Sequence, residues 1–224
     1  MKYLLVSLLP LLLSAPAGRP PGKPLNIFTL GDSNGTFPYS WPNQIGLALP
    51  GAQVFNISKS GRTIGFVNNG DSSLNSLMVI DENLQKAVAH TKQPFDFVVL
   101  QLGTNDGKAV FAGRQQEVPG NLEKLIRKIR DCPYPVISQA KIILISPPPY
   151  GEKAEATEKY AGGNARVEAM GLAFEKVAQQ TGCLFVNGCH TPGLDINTMT
   201  ADGLHLDAAG SKKLIEPVIK LIMP

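Results

Sequence analysis

The 224-residue chain has only three cysteines, too few for a disulfide framework. Charged residues are 17% of it and the formal net charge is +3. No run of like charge exceeds a few residues, so the clustered basic face of a nucleic-acid binder is missing. No apolar stretch reaches the ~20 residues a membrane span requires. No segment recurs at the period of solenoids or propellers. His90, His190 and His205 are scattered, without an H-E-x-x-H pair. Cys189-His190 offers two ligands that no convincing set completes, so a metal enzyme is disfavoured. What is present is 43% hydrophobic residues, a globular composition with room for one domain and its core.

The N-terminus reads as a targeting segment. Lys2 precedes the apolar stretch Tyr3–Leu13, and Ala15-Pro16-Ala17 has the A-x-A form of a cleavage site. This is the layout of a secretory signal peptide over residues 1–17, weighed against a membrane anchor for which the run is too short. Residues 18–24 follow as a proline-rich leader, and residues 25–224 form the folded domain. The protein is therefore expected to be secreted or periplasmic.

Five apolar segments have strand character: Leu25–Leu30, Ala52–Ile57, Phe95–Leu102, Lys141–Ile145 and Cys183–Val186. The third and fourth show little alternation, as expected of strands buried on both faces. Helical periodicity covers Trp41–Leu49, Ser73–His90, Asn121–Arg130, Asn164–Gln180 and Ala208–Ile222. Alternating strands and helices predict an α/β fold, a parallel sheet between helical layers with right-handed crossovers. Ligands in such folds bind beyond the carboxyl ends of the strands.

Those loops carry polar chemistry. Gly31-Asp32-Ser33-Asn34-Gly35 follows the first strand and lacks the pattern of a phosphate-binding loop. Ser60-Gly61-Arg62 follows the second strand and Gly103-Thr104-Asn105-Asp106 the third. Asp202-Gly203-Leu204-His205 lies near the C-terminus, followed by Asp207 as a candidate helix cap. A second GDS, at 70–72, follows no strand and reads as a loop leading into a helix. Singly these pieces are ordinary turns. Jointly they fit one mechanism: Ser33 as nucleophile, His205 as base and Asp202 as the acid that fixes the imidazole. The Ser33 and Gly61 backbone N–H groups and the Asn105 amide would form the oxyanion hole.

The four motifs, in this order and spacing, resemble those of the GDSL, or SGNH, hydrolase family, with Ser33, Gly61, Asn105 and His205 as the four letters. LGTNDGKAVF (Leu102–Phe111), ISPPPY (Ile145–Tyr150) and YAGGNARVEAM (Tyr160–Met170) are similar to segments of its arylesterase-type branch. The resemblance implies a flavodoxin-like three-layer sandwich with strand order 2-1-3-4-5, a Ser-His-Asp triad completed by Asp202, and no cofactor. One departure is visible: Asn34 follows Ser33 where many members have Leu.

The expected activity is hydrolysis of short acyl esters, acetyl above all, on an extracellular alcohol such as a sugar hydroxyl. Asn34, Arg62 and Lys108, with Asn68 and Asn69, are candidate contacts for a polar leaving group, the alternative being solvated loop residues. Tyr39, Trp41 and Phe66 offer stacking faces, unless they pack beneath the loops. The competing readings are a lysophospholipase or thioesterase with the same triad, and a flavodoxin-like binding module without catalysis. Cys132 and Cys183 both fall at the amino end of the sheet. Any disulfide is expected between them, and two buried free thiols are the alternative.

Overall fold

A computed structural model describes residues 23–223. The targeting segment expected over residues 1–17, and most of the leader, lie outside the described residues. Five strands form the sheet: β1 (Asn26–Gly31), β2 (Gln53–Asn56), β3 (Phe97–Gln101), β4 (Lys141–Ile145) and β5 (Leu184–Val186). All neighbours pair in parallel, in the order β2-β1-β3-β4-β5. Each strand seen in the sequence is present, shortened by one or two residues at most ends.

Side chains alternate across this sheet. Phe28, Leu30, Val98, Leu100, Ile142 and Leu144 face one layer, built from α2 (Ser76–His90), α3 (Val118–Arg130), the short α4 (Pro135–Ser138) and α6 (Gly163–Thr181). Ile27, Phe97, Val99, Ile143 and Ile145 face the other layer, α1 (Trp41–Ala48) and α7 (Ala208–Ile222). The one-turn α5 (Glu152–Glu155) lies outside both, on the loop after β4. The central β1 and β3 are buried along their whole lengths, as expected of parallel strands covered on both faces.

Helix boundaries follow local chemistry. Asn75 caps α2, its Oδ1 accepting from Leu77 N at 3.0 Å, while Ser72–Leu74 form a separate 3-10 turn capped by Asp71. The second GDS is thus a cap and turn. Helix α3 begins at Val118, ahead of the expected Asn121, because Val118 is buried and Pro119 fits a first turn. Asp207 caps α7, accepting from Gly210 N at 2.8 Å. The expected Cys132–Cys183 bond does not form. Both are free thiols, half-buried and separately engaged: Cys132 Sγ lies 3.8 Å from the Tyr134 carbonyl oxygen, and Arg130 donates to Cys183 Sγ at 3.6 Å.

The ladder aligns Gly31, Gln101 and Ile145 side by side. The loops after β1, β3 and β4 therefore leave the sheet at one level, where the sequence motifs lie.

Candidate active site

Ser33 opens a 3-10 turn directly after β1. Asp32 caps that turn, its Oδ1 accepting from Asn34 N at 3.0 Å. The turn packs tightly on the loop after β2: a Cβ on Gly35 would lie 2.2 Å from Ser58 Oγ. Only glycine fits there.

His205 comes from a loop between β5 and α7 that the Asp202 carboxylate folds around itself. One oxygen, Oδ1, accepts from Leu204 N at 2.9 Å and His205 N at 2.8 Å. The other, Oδ2, lies 2.6 Å from His205 Nδ1. The D-x-x-H spacing thus lets one carboxylate hold both the backbone and the ring of its histidine. The opposite ring nitrogen, Nε2, lies 2.9 Å from Ser33 Oγ. Partial burial pulls the Asp202 carboxyl up, but the hydrogen bonds from His205 and Leu204 outweigh it and hold the group below the usual carboxylate range. The site is open: the His205 side chain is 33% exposed and that of Asp202 52%.

The loop after β2 packs on the start of the Ser33 turn, Lys59 N donating to the Gly31 carbonyl at 3.1 Å. Gly61 takes φ = +81°, a left-handed conformation that glycine adopts without strain. Three side chains fix the segment from below. Asn105 Nδ2 donates to the Arg62 carbonyl at 3.0 Å, and Asn68 Nδ2 donates to the Gly61 carbonyl at 2.6 Å. Both Asp106 oxygens accept from Ile64 N, at 3.0 and 3.1 Å. One Asn105 N–H is spent on Arg62; the amide has a second. Full burial, with Asp32 nearby, pushes the Asp106 carboxyl up to about 7, against the pull of the Ile64 N–H.

The three expected substrate contacts are buried and engaged by neighbouring loops. Asn34 is 2% exposed and both ends of its amide are used: Nδ2 donates to Leu204 O at 3.2 Å and Oδ1 accepts from Leu206 N at 2.9 Å. Arg62 is 4% exposed and donates inward to the Ile57 carbonyl; burial lowers its pKa to about 10, with the Asp32 charge opposing. Lys108 is 3% exposed and donates to Asn68 Oδ1 at 3.2 Å; burial, then Lys159, lower it to about 8. Asn68 is likewise buried, whereas Asn69 stays exposed. These polar side chains tie the loops to each other.

Of the candidate stacking residues, Trp41 and Phe66 are buried and Tyr39 is exposed. Sequence reasoning missed Phe37. Its ring meets the His205 ring edge-on, with centroids 5.7 Å apart, and stacks on Tyr39 at 5.4 Å. Asn43 Nδ2 donates to the carbonyls of Phe37 and Pro38, and Gln44 Nε2 to that of Tyr39. The aromatic ledge beside His205 is therefore pinned from α1. The only signal was the run of aromatics closely following the GDS motif.

The sequence profile described as the GDSL-like lipase/acylhydrolase family matches residues 27–213. No curated protein sequence matches the chain. Among solved structures, the chain is similar to Est24, a carbohydrate acetylesterase from Sinorhizobium meliloti. The two share 22% identity, 88% of this chain and 98% of that one are covered, and the TM-score is 0.74. It is also similar to the inhibitor-bound aryl esterase of M. smegmatis, at 19% identity with the same coverages and a TM-score of 0.73. At these identities the likeness establishes the fold.

Proposed function

Because the chain belongs to the GDSL-like lipase/acylhydrolase family and is a carboxylic ester hydrolase, we propose that it is an exported serine esterase removing short acyl groups, acetyl above all, from an alcohol such as a sugar hydroxyl. The observation that carries the mechanism is the continuous hydrogen-bonded series from Asp202 through His205 to Ser33.

In this reading neutral His205 takes the Ser33 proton on Nε2 while Oγ attacks the ester carbonyl carbon. Asp202 holds the other ring nitrogen protonated and stabilises the imidazolium that forms. The oxyanion is met by the Ser33 and Gly61 backbone N–H groups and the second N–H of Asn105. His205 then gives its proton to the departing alcohol oxygen, leaving an acyl group on Ser33. A water then attacks the acyl carbon while losing a proton to His205; the bond from that carbon to Oγ breaks, the carboxylic acid leaves, and His205 returns the proton to Ser33.

Three features support the substrate class. The site is open, with the His205 and Asp202 side chains part-exposed. The ledge of Phe37 and Tyr39 lies beside the base that must protonate the leaving oxygen, so a ring-shaped alcohol would find a flat face there. The structural relatives include proteins described as a carbohydrate acetylesterase and an aryl esterase. Export rests on the sequence of residues 1–17.

The test is kcat/KM on p-nitrophenyl esters from C2 to C12, beside acetate release from acetylated xylan or pectin, for the wild type and Ser33→Ala. The expected result is a maximum at C2, acetate release, and loss of turnover by several orders of magnitude in the variant. A maximum at C8 or longer without acetate release moves the assignment to lysophospholipase or thioesterase. Equal turnover by a folded Ser33→Ala protein removes Ser33 as nucleophile, whereas no turnover by the wild type on any ester leaves a binding module in its place.

A further inference from the structure

Ser33 and His205 are brought together from positions 172 residues apart, and the Nε2–Oγ distance depends on how the two loops are held. Asn34 is the first residue after Ser33, and its amide spans the main chain on either side of His205. Nδ2 donates to the carbonyl of residue 204 and Oδ1 accepts from the N–H of residue 206. This is one rung of a ladder made by a side chain, and it is out of water, with Asn34 2% exposed. The Asn34 backbone N–H is itself held by buried Asp32. The opposite side of His205 is held by Asp202, through both main chain and ring.

We infer that Asn34 is a positioning residue that sets His205 against Ser33. This rests on the reading of those two residues as base and nucleophile. Position 34 adjoins the nucleophile in sequence, so a substrate contact was the natural expectation for a polar side chain there; the burial and the two main-chain bonds give it another task. An apolar residue of similar volume would fill the space but leave the Leu204 carbonyl and the Leu206 N–H unpaired in a buried setting. The His205 loop would then relax relative to Ser33, and a displacement near 1 Å at a reacting centre costs about 10² in rate.

The test compares Asn34→Leu, which removes both bonds, with Asn34→Asp, which keeps an acceptor for Leu206 N and loses the donor to Leu204 O. Two quantities are read: kcat and KM on p-nitrophenyl acetate, and the rate at which phenylmethylsulfonyl fluoride inactivates Ser33. In the Leu variant kcat falls about 10- to 100-fold with KM nearly unchanged, inactivation slows in parallel, and the Asp variant lies between it and the wild type. A folded Leu variant with wild-type kcat and inactivation rate overturns the inference, and so does a loss confined to KM, which would make Asn34 a substrate contact. If the Leu variant does not fold, the Asp variant decides by the same two measurements: a wild-type kcat and inactivation rate overturn the inference, and a parallel loss in both upholds it. Ser33→Ala separates the two levels. Persistent turnover there sinks the nucleophile, whereas a dead Ser33→Ala beside unaffected Asn34 variants sinks only the clamp.

Discussion

Asp202 holds its loop through one oxygen and the His205 ring through the other. These tasks separate on substitution. In Asp202→Asn the amide oxygen can still accept from the Leu204 and His205 N–H groups. The negative charge that stabilises the imidazolium is lost, and the hydrogen bond that fixes the tautomer is altered. The expected outcome is a fall in kcat of ~10²–10⁴ with little change in melting temperature, checked by steady-state kinetics beside thermal unfolding. Asn105 is a second case. Its amide secures the Arg62 carbonyl and, in the proposed mechanism, supplies a donor to the oxyanion. Asn105→Ala is expected to lower kcat by ~10²–10³, the cost of one lost donor, and an unchanged kcat would remove it from the hole.

At the scale of elements, the central strands and long helices were legible because each buries a run or stripe of apolar residues, whereas the edge strand β2 has no buried residue. Val98, Val99 and Leu100, fully buried between two helical layers, announce themselves in any reading of hydrophobicity. The 3-10 segment Ala109–Glu117 was not legible. Phe111 is its one buried residue, and the Gln115 amide holds the segment by donating to the carbonyls of Asp106 and Phe111. Such side-chain links leave no periodic trace. The same reason hid the true roles of Asn34, Arg62 and Lys108. A polar residue on a loop reads as solvent-facing unless the partner loop, here up to 172 residues away, is known. The motif residues stood out because their chemistry is joint: serine, glycine, asparagine and histidine in one order point to a single mechanism, and the structure brings Ser33, His205 and Asp202 within hydrogen-bond distance. Element ends allow a stability prediction as well. Asp207→Ala removes the acceptor for Gly210 N and should destabilise the protein by about 1 kcal/mol, read as a lower urea midpoint.

For the molecule as a whole, the buried ionisable groups under the loops give stability a pH dependence. Asp106 titrates near 7 in the folded protein and close to the ordinary aspartate value when unfolded. Between those values the folded state keeps a proton that the unfolded state has released. Stability from this group therefore declines as pH rises from about 4 to about 7 and is flat above. Buried Asp32, also raised, acts in the same direction. Lys108, lowered to about 8, works oppositely at higher pH: the unfolded chain binds the extra proton between about 8 and 10.5, so stability recovers there. Asp106→Asn should gain on the wild type in urea midpoint as pH climbs from 4 to 7, and parallel curves would contradict the assignment.

The placement of His205 between β5 and α7 also has a consequence in time. Helix α7 packs against α1, the helix that follows the nucleophile turn, so the first and last parts of the fold meet in one layer. Such long-range closures are slow, and chains tend to organise from the end synthesised first. In the proposed mechanism Ser33 emerges early and stands without its base until the final helix docks. Ester turnover is thus a clock for completion of the fold: during refolding, far-UV ellipticity from the sheet and the earlier helices should rise before hydrolysis begins. A chain caught halfway would already carry its serine, chemically idle and unable to act on any ester it met.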